Sequence, residues 1–195
     1  MAETGIRVAR PDETKRIVAT MVAAFVGDPF MRWMYPEADA YLAHFGRFVD
    51  AFAGAAFTEN TAYLDEDFGG ACMWLPPGVE PDGPALFEHV RTTVPSEKLA
   101  GTSEYFRQME ECAPEEDLWY LPMIGVDACF QGRGIGARLM NWSLARTDEM
   151  GIPTYLESSN PANIPFYRRL GYEPVSEIRI SDDAPVMTPM YRAAR

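Results

Sequence analysis

Leu118 to Trp142, LWYLPMIGVDACFQGRGIGARLMNW, decides how the rest of the chain is read. An apolar run suited to a buried strand gives way to a glycine-rich turn, Gln131 to Gly136. A helix follows, carrying Leu139, Met140 and Leu144 at helical spacing. A glycine turn that opens a helix presents unpaired backbone N–H groups and the positive end of the helix dipole. Together they suit an anion such as a pyrophosphate. The P-loop requires Lys and then Ser or Thr after its last glycine, whereas Gly136 is followed by Ala137 and Arg138, which disfavours a nucleotide triphosphatase. The dinucleotide fingerprint spaces its glycines as G-x-G-x-x-G early in a βαβ unit. Here Gly132, Gly134 and Gly136 occupy alternate positions late in the chain, so a Rossmann reading fits poorly.

With 195 residues the chain is expected to form one compact domain spanning 1–195. No apolar run approaches the roughly 20 residues of a membrane-spanning helix. The first residues, MAETGIRVAR, lack the apolar core of a signal peptide, so a cytoplasmic protein with no membrane partner is expected. Cys72, Cys112 and Cys129 have no metal-ligand spacing, and only His44 and His89 accompany them, so no metal is expected and the thiols read as reduced. Cys129 reads as a semi-buried structural thiol. With 17 basic against 29 acidic residues, the net charge of −12 argues against nucleic acid and favours a cationic partner such as an amine, besides aiding solubility. Arg133 and Arg138 set local positive charge beside the glycine turn.

Taken in order, Ile6 to Arg10 alternates as a first strand, and Pro11-Asp12-Glu13 opens a helix that Gly27-Asp28-Pro29 stops. Phe30, Trp33, Met34 and Tyr35 form an aromatic segment suited either to core or to lining a pocket, and a second helix is expected from about Ala38 to Phe57. Thr61 to Asp65 and Gly70 to Leu75 read as a hairpin ending at Pro76-Pro77-Gly78. Helices follow around Ala85 to Val90 and Ser103 to Cys112. An acidic cluster, Glu110 to Asp117, then leads into the central strand. Beyond the central helix come a strand at Thr154 to Ser158, a loop, a short helix closed by Gly171, and two closing strands at about Tyr172 to Ile180 and Val186 to Arg192. This order of elements makes an α+β protein with a mixed sheet.

Gln131-Gly132-Arg133-Gly134-Ile135-Gly136-Ala137 after strand Met123 to Val126, followed by Asn163-Ile164-Pro165-Phe166-Tyr167-Arg168-Arg169-Leu170-Gly171-Tyr172, resembles the GNAT superfamily of acyl-CoA N-acyltransferases. Trp74-Leu75-Pro76-Pro77-Gly78 and Leu156-Glu157-Ser158-Ser159 look like the branch that includes puromycin N-acetyltransferase. The resemblance implies a mixed, mostly antiparallel central sheet flanked by helices. It also implies acetyl-CoA as co-substrate, held at its pyrophosphate by Gln131, Gly132, Arg133, Gly134, Gly136 and Ala137. Ile124 and Val126 would lie beside the thioester, where a backbone N–H can stabilise an oxyanion. Asn163 would bond the pantetheine arm, with Asn160 a competitor.

Tyr167 matches the family's general acid, and Glu157 matches a glutamate base found in some members. A water chain or a backbone carbonyl near Trp119 and Tyr120 is the alternative base. The expected reaction is acetyl transfer to a primary amine of a small molecule by direct attack in a ternary complex. The acceptor pocket would be built from the first two helices and the Pro76 to Cys112 insertion, with Phe30, Trp33, Tyr35 and Trp74 as walls. A protein or peptide acceptor and a non-catalytic acyl-CoA-binding module are the rival readings. A homodimer is compatible with all of them.

Overall fold

The computed structural model describes residues 5–195, so the first four residues of the MAETGIRVAR stretch lie outside the described residues. Among the described residues seven strands form one sheet: β1 (Ile6–Val8), β2 (Ala62–Asp65), β3 (Gly70–Leu75), β4 (Trp119–Val126), β5 (Thr154–Ser158), β6 (Glu173–Pro174) and β7 (Thr188–Arg192). Their spatial order is β1-β2-β3-β4-β5-β7-β6, and every neighbouring pair is antiparallel except β4 with β5. This is the mixed, mostly antiparallel α+β sheet expected from the sequence.

Both faces are covered, which is why β2 and β3 are buried at every position. Leu64, Ala71, Met73 and Leu75 point into a core made with α1 (Thr14–Ala24), α2 (Pro29–Met34), α3 (Ala38–Ala53), α4 (Ala55–Thr58), α5 (Gly83–Thr93) and α6 (Ser96–Cys112). Tyr63, Cys72 and Trp74 point the other way, into a core shared with α7 (Ile135–Met150) and α8 (Ile164–Arg169). Period-two alternation sorts the strand residues between these two layers.

The helix expected from Ala38 to Phe57 breaks at Gly54, where a Cβ would lie 2.2 Å from the Asp50 carbonyl oxygen. The aromatic segment after Asp28 is itself a helix, α2, capped by the Asp28 carboxylate and started by Pro29. The long closing strand expected at Tyr172 to Ile180 is reduced to β6, Glu173–Pro174, and one bridge between Ile178 and Met187. Pro174 withholds an N–H from the ladder, which limits the pairing that β6 can make.

One irregularity positions everything that follows. Met73 pairs with Met123 and Leu75 with Tyr120, so Leu121 and Pro122 together oppose the single residue Trp74. This is a β-bulge with a proline at its centre, one of the few places where a sheet accepts that residue. The bulge reverses the strand's parity. Trp119 and Leu121 face the α7 layer before it, and Ile124 and Val126 face that layer after it, while Tyr120 and Met123 lie on the opposite side. Beside the bulge, β4 and β5 pair only at Trp119 with Thr154 and Tyr120 with Tyr155. Beyond those two rungs the strands part.

Candidate active site

A cleft of about 720 Å³ occupies the gap, walled by Leu121 to Val126 on one side and by Leu156 to Asn160 on the other. It brings together Glu157 from β5, Tyr167 from α8, and Ile124 and Val126 from β4. Gln131, Gly132 and Gly136 of the glycine turn and Asn163 before α8 line the same cavity.

The turn is built for its position. Asp127 caps a one-turn 3₁₀ helix, Ala128–Phe130, by accepting the Cys129 amide at 2.9 Å, and the Gln131 side chain donates back to the Val126 carbonyl at 3.2 Å. Gly132 and Gly134 both have φ of +75°, the left-handed region in which a side chain is strained. Gly136 differs, because a Cβ there would meet Val126 and Phe166 at ordinary contact distance and would project at the cleft wall. In α7 the first intrahelical bond runs from Arg138 N–H to the Gly134 carbonyl at 3.0 Å, leaving the amides of 135–137 without an intrahelical acceptor. Of the cations nearby, Arg138 is held by the buried Asp65 at 2.7 Å, whereas Arg133 is exposed and lies over the Phe130 ring. Arg133, Gly134 and Ala137 belong to this turn and helix start without lining the cavity. Cys129 is exposed rather than semi-buried.

The two asparagines are distinguished by their bonds. Asn160 caps the turn Pro161–Asn163 by accepting the Ala162 amide at 3.0 Å, and its carbonyl accepts from the Ser158 hydroxyl. Asn163 is exposed, and its side chain makes no hydrogen bond among the described residues.

Glu157 is half-buried, with Oε2 accepting the Tyr120 hydroxyl at 2.7 Å. Burial pushes its pKa up to about 7, partly offset by the Tyr120 hydrogen bond, which favours the charged form. The buried Tyr155 hydroxyl has no hydrogen-bond partner among the described residues, and burial followed by the Glu157 charge raises its pKa. The result is a carboxylate that changes charge near neutrality, lodged against two phenols in an apolar setting.

Tyr167 is 7% exposed, with burial raising its pKa first and the Asp28 charge second. Asp28 is a site residue that sequence reasoning assigned only to stopping a helix. Its Oδ1 accepts the Phe30 and Met31 amides, each at 3.0 Å, and its Oδ2 accepts the Ser159 hydroxyl at 2.5 Å, tying α2 to the end of β5 across the cleft. Asp directly before Pro at a helix start was the available signal.

Of the expected acceptor walls, Phe30 lines the cleft, and Trp33, Tyr35 and Trp74 do not. Trp74 is fully buried on the α7 side of β3. Tyr35 is fully buried and bonds Thr93 at 2.7 Å. Trp33 packs on Phe30 and Tyr105 and donates to Asp183 at 3.3 Å, fastening the chain near the C-terminus. Their places are taken by Phe48 and Phe52 of α3 and Phe106 and Met109 of α6. The second helix and the Pro76 to Cys112 insertion, expected to build the acceptor pocket, do contribute to it, but through these residues rather than through Trp33, Tyr35 or Trp74.

A strand that parts from its parallel neighbour, a glycine turn opening a helix beside the gap, and a Tyr and a Glu facing one cavity make up the candidate site. The chain belongs to the GNAT acetyltransferase family, whose model matches residues 50–172. Over 185 residues it is 24% identical to an uncharacterized N-acetyltransferase of Schizosaccharomyces pombe, covering 87% of this chain and 74% of that protein. In fold it is similar to a histone acetyltransferase HPA2 and related acetyltransferase from Corynebacterium glutamicum, with a TM-score of 0.66 and 22% identity over 97% of this chain and 96% of that one. It is also similar to arylalkylamine N-acetyltransferase 2 from Aedes aegypti, with a TM-score of 0.68 and 9% identity over 97% and 98% of the two chains.

Proposed function

We propose that the protein is an acetyl-CoA-dependent N-acetyltransferase acting on a primary amine of a small molecule, by direct attack within a ternary complex. The observation that carries the reading is the convergence of Glu157, Tyr167 and the glycine turn on the one cleft opened by the bulge in β4. The donor set suits an acyl-CoA: helix-start amides for a pyrophosphate, bare glycines at the wall, and an unengaged Asn163. Acetyl-CoA supplies the acetyl group as a thioester. Glu157, with its pKa near 7, takes a proton from the acceptor ammonium so that the neutral nitrogen can attack. As the C–N bond forms and the C–S bond breaks, Tyr167 gives a proton to the departing thiolate, and the second proton shed by the attacking nitrogen restores the Tyr167 phenol. The backbone around Ile124 and Val126 is the candidate donor to the oxyanion. Among small-amine relatives, structural neighbours include an agmatine N-acetyltransferase and a mosquito arylalkylamine N-acetyltransferase, which supports a small acceptor. Within the family we place the chain near the branch that includes puromycin N-acetyltransferase, on its Trp74 to Gly78 corner and its Leu156 to Ser159 run.

Purified protein given acetyl-CoA and a panel of primary amines is expected to release free thiol. Tyr167→Phe is expected to lower kcat by about 10² to 10³. Unchanged turnover in Tyr167→Phe removes the acid role, and no thiol release with any amine removes the function.

A further inference from the structure

We propose that the acceptor is an apolar monoamine, a single ammonium on an aryl or alkyl body without a second charge, whose body sits among Met31, Phe48, Phe52, Phe106 and Met109. This rests on the N-acetyltransferase reading and names its acceptor class.

The cleft contains no Lys, Arg or His on its walls, and its charged side chains, Asp28 and Glu157, are both acidic. Asp28 is already engaged through both oxygens by two helix amides and Ser159. Glu157 accepts the Tyr120 hydroxyl at Oε2 and has the Tyr155 phenol beside it, and a carboxylate with about four acceptor positions keeps room for a further donor. One carboxylate therefore has an acceptor position to offer, and it matches one ammonium.

An unbroken aromatic wall leads away from that carboxylate. Tyr120 meets Phe52 edge-on at 6.2 Å between ring centroids, and Phe52 meets Phe48 at 5.4 Å and Phe106 at 6.3 Å. Met31 and Met109 are buried cleft residues, and methionine adapts to irregular apolar shapes. A substrate carboxylate in this chamber would face two acids and no cation. A second ammonium would be desolvated among Phe and Met side chains, whose ring faces compensate it only in part. Net charge of −12 attracts any cation to the protein, but the chamber separates cations by how many charges they carry.

The test uses matched acceptors with acetyl-CoA and thiol release as the readout. 2-Phenylethylamine differs from phenylalanine by the carboxylate alone, and pentylamine differs from cadaverine by the second amine alone. In each pair kcat/KM is expected to favour the monoamine by at least about 100-fold, the scale of an uncompensated buried charge. Met109→Lys, checked for folding by circular dichroism, is expected to narrow the phenylethylamine to phenylalanine ratio by about tenfold or more through a compensating cation. If it fails to fold, the matched pairs on the unaltered protein decide alone. Equal or reversed preference within the pairs overturns the inference and leaves the N-acetyltransferase reading intact, as does preferential acetylation of peptide amino groups by intact mass. Absence of thiol release with every amine overturns both.

Discussion

Glu157 and Tyr120 form a pair whose separate contributions can be read from pH. A base must be ionised to work, so kcat/KM is expected to rise with pH through a midpoint near 7. Glu157→Gln is expected to lower kcat/KM by about 10² to 10³ and to erase that limb. The Tyr120 hydroxyl donates to the carboxylate and so favours its charged form. Tyr120→Phe removes this bond while keeping the ring against Phe52, and the limb is expected to move to higher pH. A purely structural tyrosine would lower stability without moving the midpoint. Glu157 and Tyr167 were legible in the sequence because the family resemblance carried them. Tyr120 was visible only as a candidate backbone carbonyl, since nothing in the order of residues says that a side chain on β4 meets one two places beyond its partner on β5. Trp33, Tyr35 and Trp74 misled for a related reason. Aromatic residues fill core and pocket alike, and which face of a strand or helix they occupy depends on register.

The glycine turn was legible as an element because its spacing is a chemical statement, yet Gly136 does something different from Gly132 and Gly134. Gly134 has φ of +75° and open space where a Cβ would go, so Gly134→Ala strains the backbone by about 1 kcal/mol and is expected to lower stability by that much. Gly136 lies in the first turn of α7 with room for a methyl group, so Gly136→Ala is expected to leave urea-unfolding stability unchanged or slightly raised. The same methyl faces the cleft, and the KM for acetyl-CoA is expected to rise about fivefold or more if the turn holds its pyrophosphate. Equal loss of stability in the two variants would contradict this division. The bulge in β4 was the element that escaped reading. Its signal was present as Pro122 inside an otherwise strand-like run, but a proline in a strand marks an irregularity without saying which partner residue it bypasses. That partner, Trp74, lies 48 positions earlier in the chain and is fixed only once the sheet has assembled.

For the molecule as a whole, the acid that serves the site and the acid that serves the fold act in opposite directions with pH. Glu13 is 5% exposed and hydrogen-bonded to Arg7 and to the Arg10 amide, which together hold its pKa down to about 2. Its folded-state value lies below the unfolded one, so its contribution is complete above about pH 4.5 and is lost as the pH falls toward 2. Glu157 is raised, from 4.5 to about 7, by burial. The folded protein therefore holds a proton there that the unfolded chain has released, and stability declines as pH rises from about 4.5 to 7. A shift of this size corresponds to about 3 kcal/mol once Glu157 is fully ionised. Glu157→Gln cannot titrate, so the variant is expected to gain on the native protein as pH increases. The difference in Tm between variant and native protein should grow by about 5 °C between pH 5 and pH 8. Glu13→Gln should behave oppositely, losing about 2 kcal/mol at pH 7 and little near pH 2. A Tm difference for Glu157→Gln that stays flat across this range would mean that the carboxylate is not held against its solvation. It would also remove the physical basis for a base that titrates near neutrality. Growth of the difference together with loss of turnover would identify the same residue as a cost to the fold and a requirement of the chemistry, the pattern expected where a protein buries a charge in order to use it.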